Sequence, residues 1–512
     1  MPVYRSRHTG YTEAMVATAP MRHNEMSRAR THVHRVDPEA RRRPTVSMNH
    51  DITFGTDGWR AVIAEDFTYE NLRRVADATG RVFSHDHGGG RILVGYDTRF
   101  EGKAFAHAAA EVIASHGLEA VVSDRYMPTP ALCWSVAHDQ RAIGGVMVTA
   151  SHNPAKYSGF KIRMHDGGAS PVALTDRVEA ALRPEAPATR GVPLTADLMT
   201  PYLEALLAAV DTDLIRGAGL RVVVDSLYGA GQHYLADVLR DAGVDVNEIH
   251  MEPNPGFGGL HPEPIPPHID GMRDAVVVGQ RDAGFVTDGD ADRIGAADAA
   301  GRFVNPHRII CLVARHLAQD RGQTGRIVKT LSTSVLVDRL GQRLGLPVTT
   351  TPVGFKWIYE EMLAGDVLVG GEESGGIGIP SHVRERDGLL IALMLTEMMA
   401  QHGKGLGELV HDLFELTGPM EYQRVDLALD PEVMISFRER LPHVAPAEIA
   451  GLQVLETVRT DGLKLLLPDD AWLLLRPSGT EPLVRVYAEA SSAGVVDDLL
   501  AAGKAIATGE GA

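Results

Sequence analysis

A serine on a stiff turn, three aspartates at alternate positions, and an arginine beside two hydroxyls and a glycine stand out in this 512-residue chain. The serine is Ser151, in Val148-Thr149-Ala150-Ser151-His152-Asn153-Pro154. The apolar run Ala142–Val148 ahead of it reads as a buried strand, and Pro154 bars easy continuation of regular structure. A hydroxyl is thereby left at the carboxyl end of a strand, where open α/β sheets place their chemistry. Alone, the segment also fits a polar turn after a core strand. His152 adjoins the serine, but neighbours in an extended loop point apart. It reads as ordering the loop, not as a base in a triad.

The aspartates are Asp288, Asp290 and Asp292, followed by Arg293, a short distance after the apolar run 275–278. Carboxylates at alternate positions of an extended loop project to one side and make a hard oxygen cage suited to Mg²⁺. The EF-hand pattern is not met, because its sixth position would be Arg293 and its twelfth Ala299. A phosphatase with an aspartate nucleophile would want Thr or Val where Asp292 stands. Three carboxylates this close repel unless a cation compensates them.

Arg476-Pro477-Ser478-Gly479-Thr480 follows the apolar stretch 472–475. It offers a fork-shaped cation, two hydroxyls and a glycine around which backbone N–H groups can converge on an oxyanion. Its spacing is not that of a Walker loop. Glu372 and Ser374, in a glycine-flanked loop after the strand 366–369, can chelate vicinal diols, and Lys356 follows Pro352-Val353-Gly354-Phe355. Near the start, Gly55-Thr56-Asp57-Gly58-Trp59-Arg60 suits backbone approach to a phosphate with a guanidinium alongside. His382, Arg384 and Arg386 precede an apolar helix at 389–399, which Asp387 is placed to cap. A nucleophile, a metal cage, a phosphate nest and a diol clamp, each behind a strand, amount to phosphoryl transfer to and from a sugar phosphate.

These loops need a scaffold of strands and helices. Leu72, Val75, Ala76, Thr79, Val82 and Phe83 share one helical face. The strand 91–96, a helix at 103–116 and the strand 118–122 make a βαβ unit. The cadence returns from 220 to 249 and from 326 to 344, without detectable identity between copies. Proline-rich stretches, 253–267 above all, read as surface connections. From about 420 short strands take over, with a last helix near 494–505. The fold class is therefore α/β, with three related units carrying mixed sheets and a smaller C-terminal α+β unit. The expected divisions are 48–190, 191–304, 305–419 and 420–512, behind a disordered basic extension at 1–47. That extension holds nine arginines against four acidic residues, so the body is more acidic than the chain's net charge of −17. An acidic body argues against nucleic acid, and no apolar run is long enough for a membrane. Cys133 and Cys311, far apart in apolar company, read as buried thiols of a reducing, cytoplasmic compartment.

In its opening loop, serine loop, metal loop, sugar loop and C-terminal phosphate loop, all in family order over about 50–500, the sequence resembles the α-D-phosphohexomutases. The resemblance implies four domains around a central cleft and a phosphoserine enzyme. Ser151 would carry the phosphoryl group, with Asp288, Asp290 and Asp292 holding Mg²⁺ against it. Arg60, Lys161 and Arg293 would surround it, Lys161 as acid/base. Glu372 and Ser374 would grip the sugar hydroxyls in both orientations, Arg476, Ser478, Gly479 and Thr480 would hold the phosphate that is not reacting, and Lys356 would belong to the same substrate-binding set. A glucose 1,6-bisphosphate-type activator would prime the serine, in a monomer or dimer. Gly376 stands where mannose- and glucosamine-type relatives usually have histidine, and the neighbouring loops look more like phosphoglucomutases, so glucose phosphate is the expected substrate. Mannose and pentose phosphates are the alternatives. Arg386 stands where phosphoglucomutases often have Lys, and arginine stays charged, leaving His382 as the second acid/base candidate. A sugar phosphatase and an inactive sugar-phosphate binding protein are the rival functions.

Overall fold

The computed structural model describes residues 52–55, 57–478 and 483–509. The expected extension at 1–47 lies outside them. Among the described residues no helix is long and apolar enough to cross a membrane.

Three sheets repeat one plan. In the first, Arg91–Tyr96, Glu119–Ser123, Ala142–Val148 and Tyr157–Met164 come first to fourth in the chain. They lie in the order second, first, third, fourth, with the first three parallel and the fourth antiparallel to the third. Arg221–Asp225, Asp245–Ile249, Ala283–Thr287 and Ile294–Asp298 follow the same order and directions. So do Arg326–Thr330, Val348–Thr351, Val367–Gly371 and Ile377–Gly378. Parallel strands covered on both faces read as unbroken apolar runs, which is why Leu93, Val94, Val223, Val224, Ile327 and Val328 are all buried.

Helices cover these sheets. Tyr69–His87 starts at Thr68, whose side chain accepts the Asn71 N–H, and stops at Gly88 in the left-handed region. Its buried face holds every residue of the sequence-derived stripe. The helix Gly388–His402 starts at Asp387, which accepts the N–H groups of Leu389 and Leu390; this is the expected cap. The apolar run 275–278 behaves otherwise. It is the end of the helix Asp270–Val278, with Met272 and Val276 buried and Val278 exposed, and the strand carrying the aspartates is Ala283–Thr287.

The last sheet is antiparallel, in the order Glu421–Ala428, Leu483–Ala490, Trp472–Pro477, Leu463–Leu466, Glu456–Val458, and packs on the helix Ala493–Thr508. Glu489 pins it to the third α/β unit. Its buried carboxylate accepts from Ser334 Oγ, from Val335 N at 2.9 Å and from Trp472 Nε1 at 2.6 Å. Cys133 and Cys311 are free and buried.

Candidate active site

The turn between third and fourth strands is the same turn in each α/β sheet, and the three turns meet. Ser151 lies in the first, the three aspartates in the second, Glu372 and Ser374 in the third. Arg293 and Gly376 form an isolated antiparallel bridge that joins the second turn to the third. Ser151 Oγ donates to Asp288 Oδ2 at 3.1 Å and joins the first to the second.

Ser151 is 1% exposed and has φ 52°, left-handed and uncommon for a residue with a Cβ. Its N–H donates to Thr149 Oγ1 at 2.9 Å. This conformation undoes the period-two argument applied to His152. The two side chains fall on the same side, and His152 Nδ1 lies 3.4 Å from Ser151 Oγ. Burial, then the charges of Arg293 and Arg60, hold the His152 imidazole well below its usual pKa, so the ring is neutral.

One carboxylate atom from each of Asp288, Asp290 and Asp292 lies within 4.8 Å of the others, and all three residues are fully buried. Burial and the other two acids push Asp288 well above the usual carboxylate range. Asp292 is also raised, by burial and then Asp290, against the pull of Arg386. Burial would raise Asp290 too, but Lys161 and the Thr129 hydroxyl hold it low. Lys161 Nζ is 2.8 Å from Asp290 Oδ2 and 2.8 Å from Asp57 Oδ2. Desolvation works against its charge, yet Asp290, Asp57 and Asp292 raise its pKa and keep it an ammonium.

Asp57 is the hub of the cations. Besides Lys161 it meets Arg163 at 3.1 Å and Arg386 at 2.9 Å. Burial alone would raise its pKa, but Lys161, Arg163, Arg386 and Arg60 hold it well below the usual range. Arg386 also reaches Asp292 at 2.7 Å and Glu385 at 3.0 Å. Its Cδ lies 2.3 Å from where a Cβ on Gly376 would stand, so its side chain fills the space a larger residue there would need. Arg60 donates to Asn153 Oδ1 at 2.5 Å.

Beside this cluster a cleft of about 150 Å³ is lined by Lys356, Glu372, Ser374 and Arg476 together with Arg60 and Arg293. Burial pushes Glu372 up to about 7, against Arg386. Arg476 is steadied by Asp461 at 2.9 Å. Ser478 sits at the end of its strand, where its N–H donates to Leu483 O at 2.7 Å. Gly479 and Thr480 lie outside the described residues. His382 does not line the cleft. Its ring faces Asp387 at 3.4 Å and Tyr202, behind the cleft wall.

Models of the phosphoglucomutase/phosphomannomutase family match along the chain: α/β/α domain I at residues 51–188, domain II at 200–301, domain III at 305–417 and the C-terminal domain at 439–503. The chain belongs to the phosphoglucomutase/phosphomannomutase family. It is 32% identical over 451 residues to the phosphoglucomutase/phosphomannomutase of Thermococcus kodakarensis, covering 86% of this chain and 94% of that one. It is 35% identical over 466 residues to the phosphoglucosamine mutase of Frankia casuarinae, at 86% and 94% coverage. A solved putative phosphomannomutase from Thermus thermophilus superposes with a TM-score of 0.80 at 40% identity, covering 89% of this chain and 98% of that one. As a phosphohexomutase, the chain is an isomerase.

For a phosphohexomutase the aspartate trio passes a direct test of fit to a hard divalent cation. Asp290 Oδ1 and Asp292 Oδ1 are buried and have no hydrogen-bond partner among the described residues, and oxygen-only donors suit Mg²⁺. Several residues that shape this mutase site escaped the sequence reading. Asp57 lay within a noted motif, but only Arg60 was singled out there. Arg163, Glu385 and Arg99 gave no local signal. The segment 253–267, read as a surface connection, buries Phe257 and contributes Glu263 to the cleft.

Proposed function

We propose that this enzyme interconverts hexose 1-phosphate and hexose 6-phosphate, with glucose as the sugar, through a phosphoserine at Ser151 and a bisphosphorylated intermediate. The observation that supports this most directly is the 3.1 Å contact between Ser151 Oγ and Asp288, where a hydroxyl from one α/β unit meets an acidic trio from the next. Asp288, Asp290 and Asp292, with the oxygen on Ser151, would hold Mg²⁺, which when bound neutralises charge on the transferring phosphoryl group.

The remaining work falls to side chains. The P–O bond to Ser151 breaks as one forms to a sugar hydroxyl, giving a sugar bisphosphate and a free serine. The bisphosphate turns around and returns its other phosphoryl to Ser151. Lys161, held as the ammonium, gives a proton to the serine oxygen as it is released, and the proton of the attacking sugar hydroxyl replaces it. Arg386 stays charged and organises acids without moving protons. His382, set behind the wall, takes no part. Glu372 and Ser374 hold sugar hydroxyls in both orientations, while Lys356, Arg476 and the loop of Ser478, Gly479 and Thr480 take the distal phosphate. A sugar 1,6-bisphosphate primes the serine.

A coupled assay of glucose 1-phosphate to glucose 6-phosphate conversion, with and without Mg²⁺, tests the reading. Turnover should need the metal and vanish in Ser151→Ala, while glucose phosphate still binds. Retained turnover in that variant defeats the assignment. Running mannose, glucosamine and ribose phosphates beside glucose ranks the sugars. Net release of inorganic phosphate would point to a phosphatase instead.

A further inference from the structure

We propose that Arg99 is the positioning residue of the serine loop: it holds Ser151 in its left-handed conformation, and the rate of phosphoryl transfer depends on that hold. This rests on the phosphoserine reading of Ser151.

Arg99 lies in the loop after the strand Arg91–Tyr96, at the same sheet end as the serine turn, and is not among the residues lining the cleft. Its side chain is fully buried. All five guanidinium N–H positions are used. Nε donates to Asp97 Oδ2 at 3.1 Å. One terminal nitrogen donates to Pro154 O at 2.9 Å and Tyr157 O at 3.0 Å. The other donates to Ser151 O and Asn153 O, both at 2.6 Å. One planar cation thus gathers four carbonyls of the loop.

Asp97 extends the grip. Its Oδ2 accepts the Thr149 hydroxyl at 2.6 Å, and Thr149 Oγ1 in turn accepts the Ser151 N–H. Ser151 is therefore fixed through both its N–H and its C=O, which leaves its side chain to face Asp288. A left-handed serine relaxes toward ordinary backbone angles unless its surroundings over-determine it; Arg99 and Asp97 supply that determination. Phe257, from the unit that carries the aspartates, lies 4.8 Å from the guanidinium and seals it from water. A lysine would keep the charge but has no fork to serve carbonyls spread over residues 151–157.

Arg99→Lys tests this in the full-length protein charged with glucose 1,6-bisphosphate and Mg²⁺. Because misplacement of a reacting group by about 1 Å costs on the order of 100-fold, kcat should fall about 30- to 300-fold. KM for the hexose phosphate should stay within about threefold, since no cleft residue is touched. The phosphorylated variant, followed by intact mass, should lose its phosphoryl group to water at least about tenfold faster than wild type, because a slack loop admits water. A loss of stability alone would move neither the split between kcat and KM nor that lifetime. Phe257→Leu keeps every acceptor and removes only the cover, and should shift both readouts the same way by a smaller factor; it decides the matter if Arg99→Lys does not fold. A folded Arg99→Lys with wild-type kcat, or with an unchanged phosphoprotein lifetime, overturns the proposal. Failure of wild type itself to be labelled at Ser151 overturns the underlying reading, and the wild-type arm reports that separately.

Discussion

Gly289 stands between Asp288 and Asp290, and a single methyl there measures how closely the first two turns must fit. A Cβ at this position would lie 2.4 Å from the Ser151 carbonyl oxygen. Gly289 does not have a positive φ, so alanine meets no conformational penalty of its own and the clash is the whole effect. Real Cβ contacts do not fall below 3.0 Å, so the turns must part by about 0.6 Å. Ser151 O is already held by Arg99 at 2.6 Å, so the aspartate turn yields and Asp288 moves away from Ser151 Oγ. With about 100-fold lost per ångström of misplacement, Gly289→Ala should lower kcat roughly 10- to 50-fold. KM should change by less than about threefold, because Lys356, Glu372 and Arg476 are untouched. The strain should cost about 1–3 kcal/mol in urea unfolding. Coupled mutase kinetics and denaturation curves on the same preparation read all three quantities. Gly217→Ala is the control: nothing lies within 4 Å of its Cβ and it sits in the helix Thr212–Ala218. It should gain up to about 1 kcal/mol and leave kcat alone. A Gly289→Ala enzyme with kcat within about twofold of wild type would refute the claim that these turns must touch for phosphoryl transfer.

Burial raises Glu372 from 4.5 to about 7, so the folded protein holds this proton more tightly than the unfolded chain does. Its contribution to stability is present below pH 4.5 and is lost as pH rises through about 7. Glu372→Gln should therefore gain on wild type by about 2–3 kcal/mol between pH 4.5 and 8 in urea unfolding; parallel curves would contradict this. Because Asp288 and Asp292 are both raised, Mg²⁺ must displace protons to bind, so its affinity should climb with pH. Calorimetry in buffers of different protonation enthalpy reads the released protons, and a pH-independent affinity would refute the cage. Glu489→Ala strands the Ser334 hydroxyl, the Val335 N–H and the Trp472 indole N–H, and should cost about 3 kcal/mol or more. An unshifted unfolding midpoint would show that these donors find other partners.

Much of this was legible in the chain because strands and turns write locally. Unbroken apolar runs gave the parallel strands, Pro154 gave the serine turn, and alternate aspartates gave the acidic trio. The repeated cadence of strand, helix and strand gave three related units that share no detectable identity. Asp57 and Arg386, by contrast, meet across 329 positions of sequence, and no periodicity encodes that contact. The expectation that His152 and Ser151 point apart fails because nothing in a serine's neighbours announces a left-handed backbone, and one such residue brings the two side chains within 3.4 Å. The run 275–278 was ambiguous in the way short apolar runs are. Only its packing, with Val278 turned out to solvent, makes it the end of a helix.

That three matching turns converge has a consequence for how the molecule can change. On the proposed roles, one tip reacts, one carries counter-charge and one recognises, and each is anchored in its own sheet. The third tip can be redrawn to suit a different sugar while the first two keep their spacing. Versatility of substrate and constancy of chemistry then belong to separate pieces of backbone, which meet at this end through contacts such as the Arg293–Gly376 bridge and the Arg386–Asp292 ion pair.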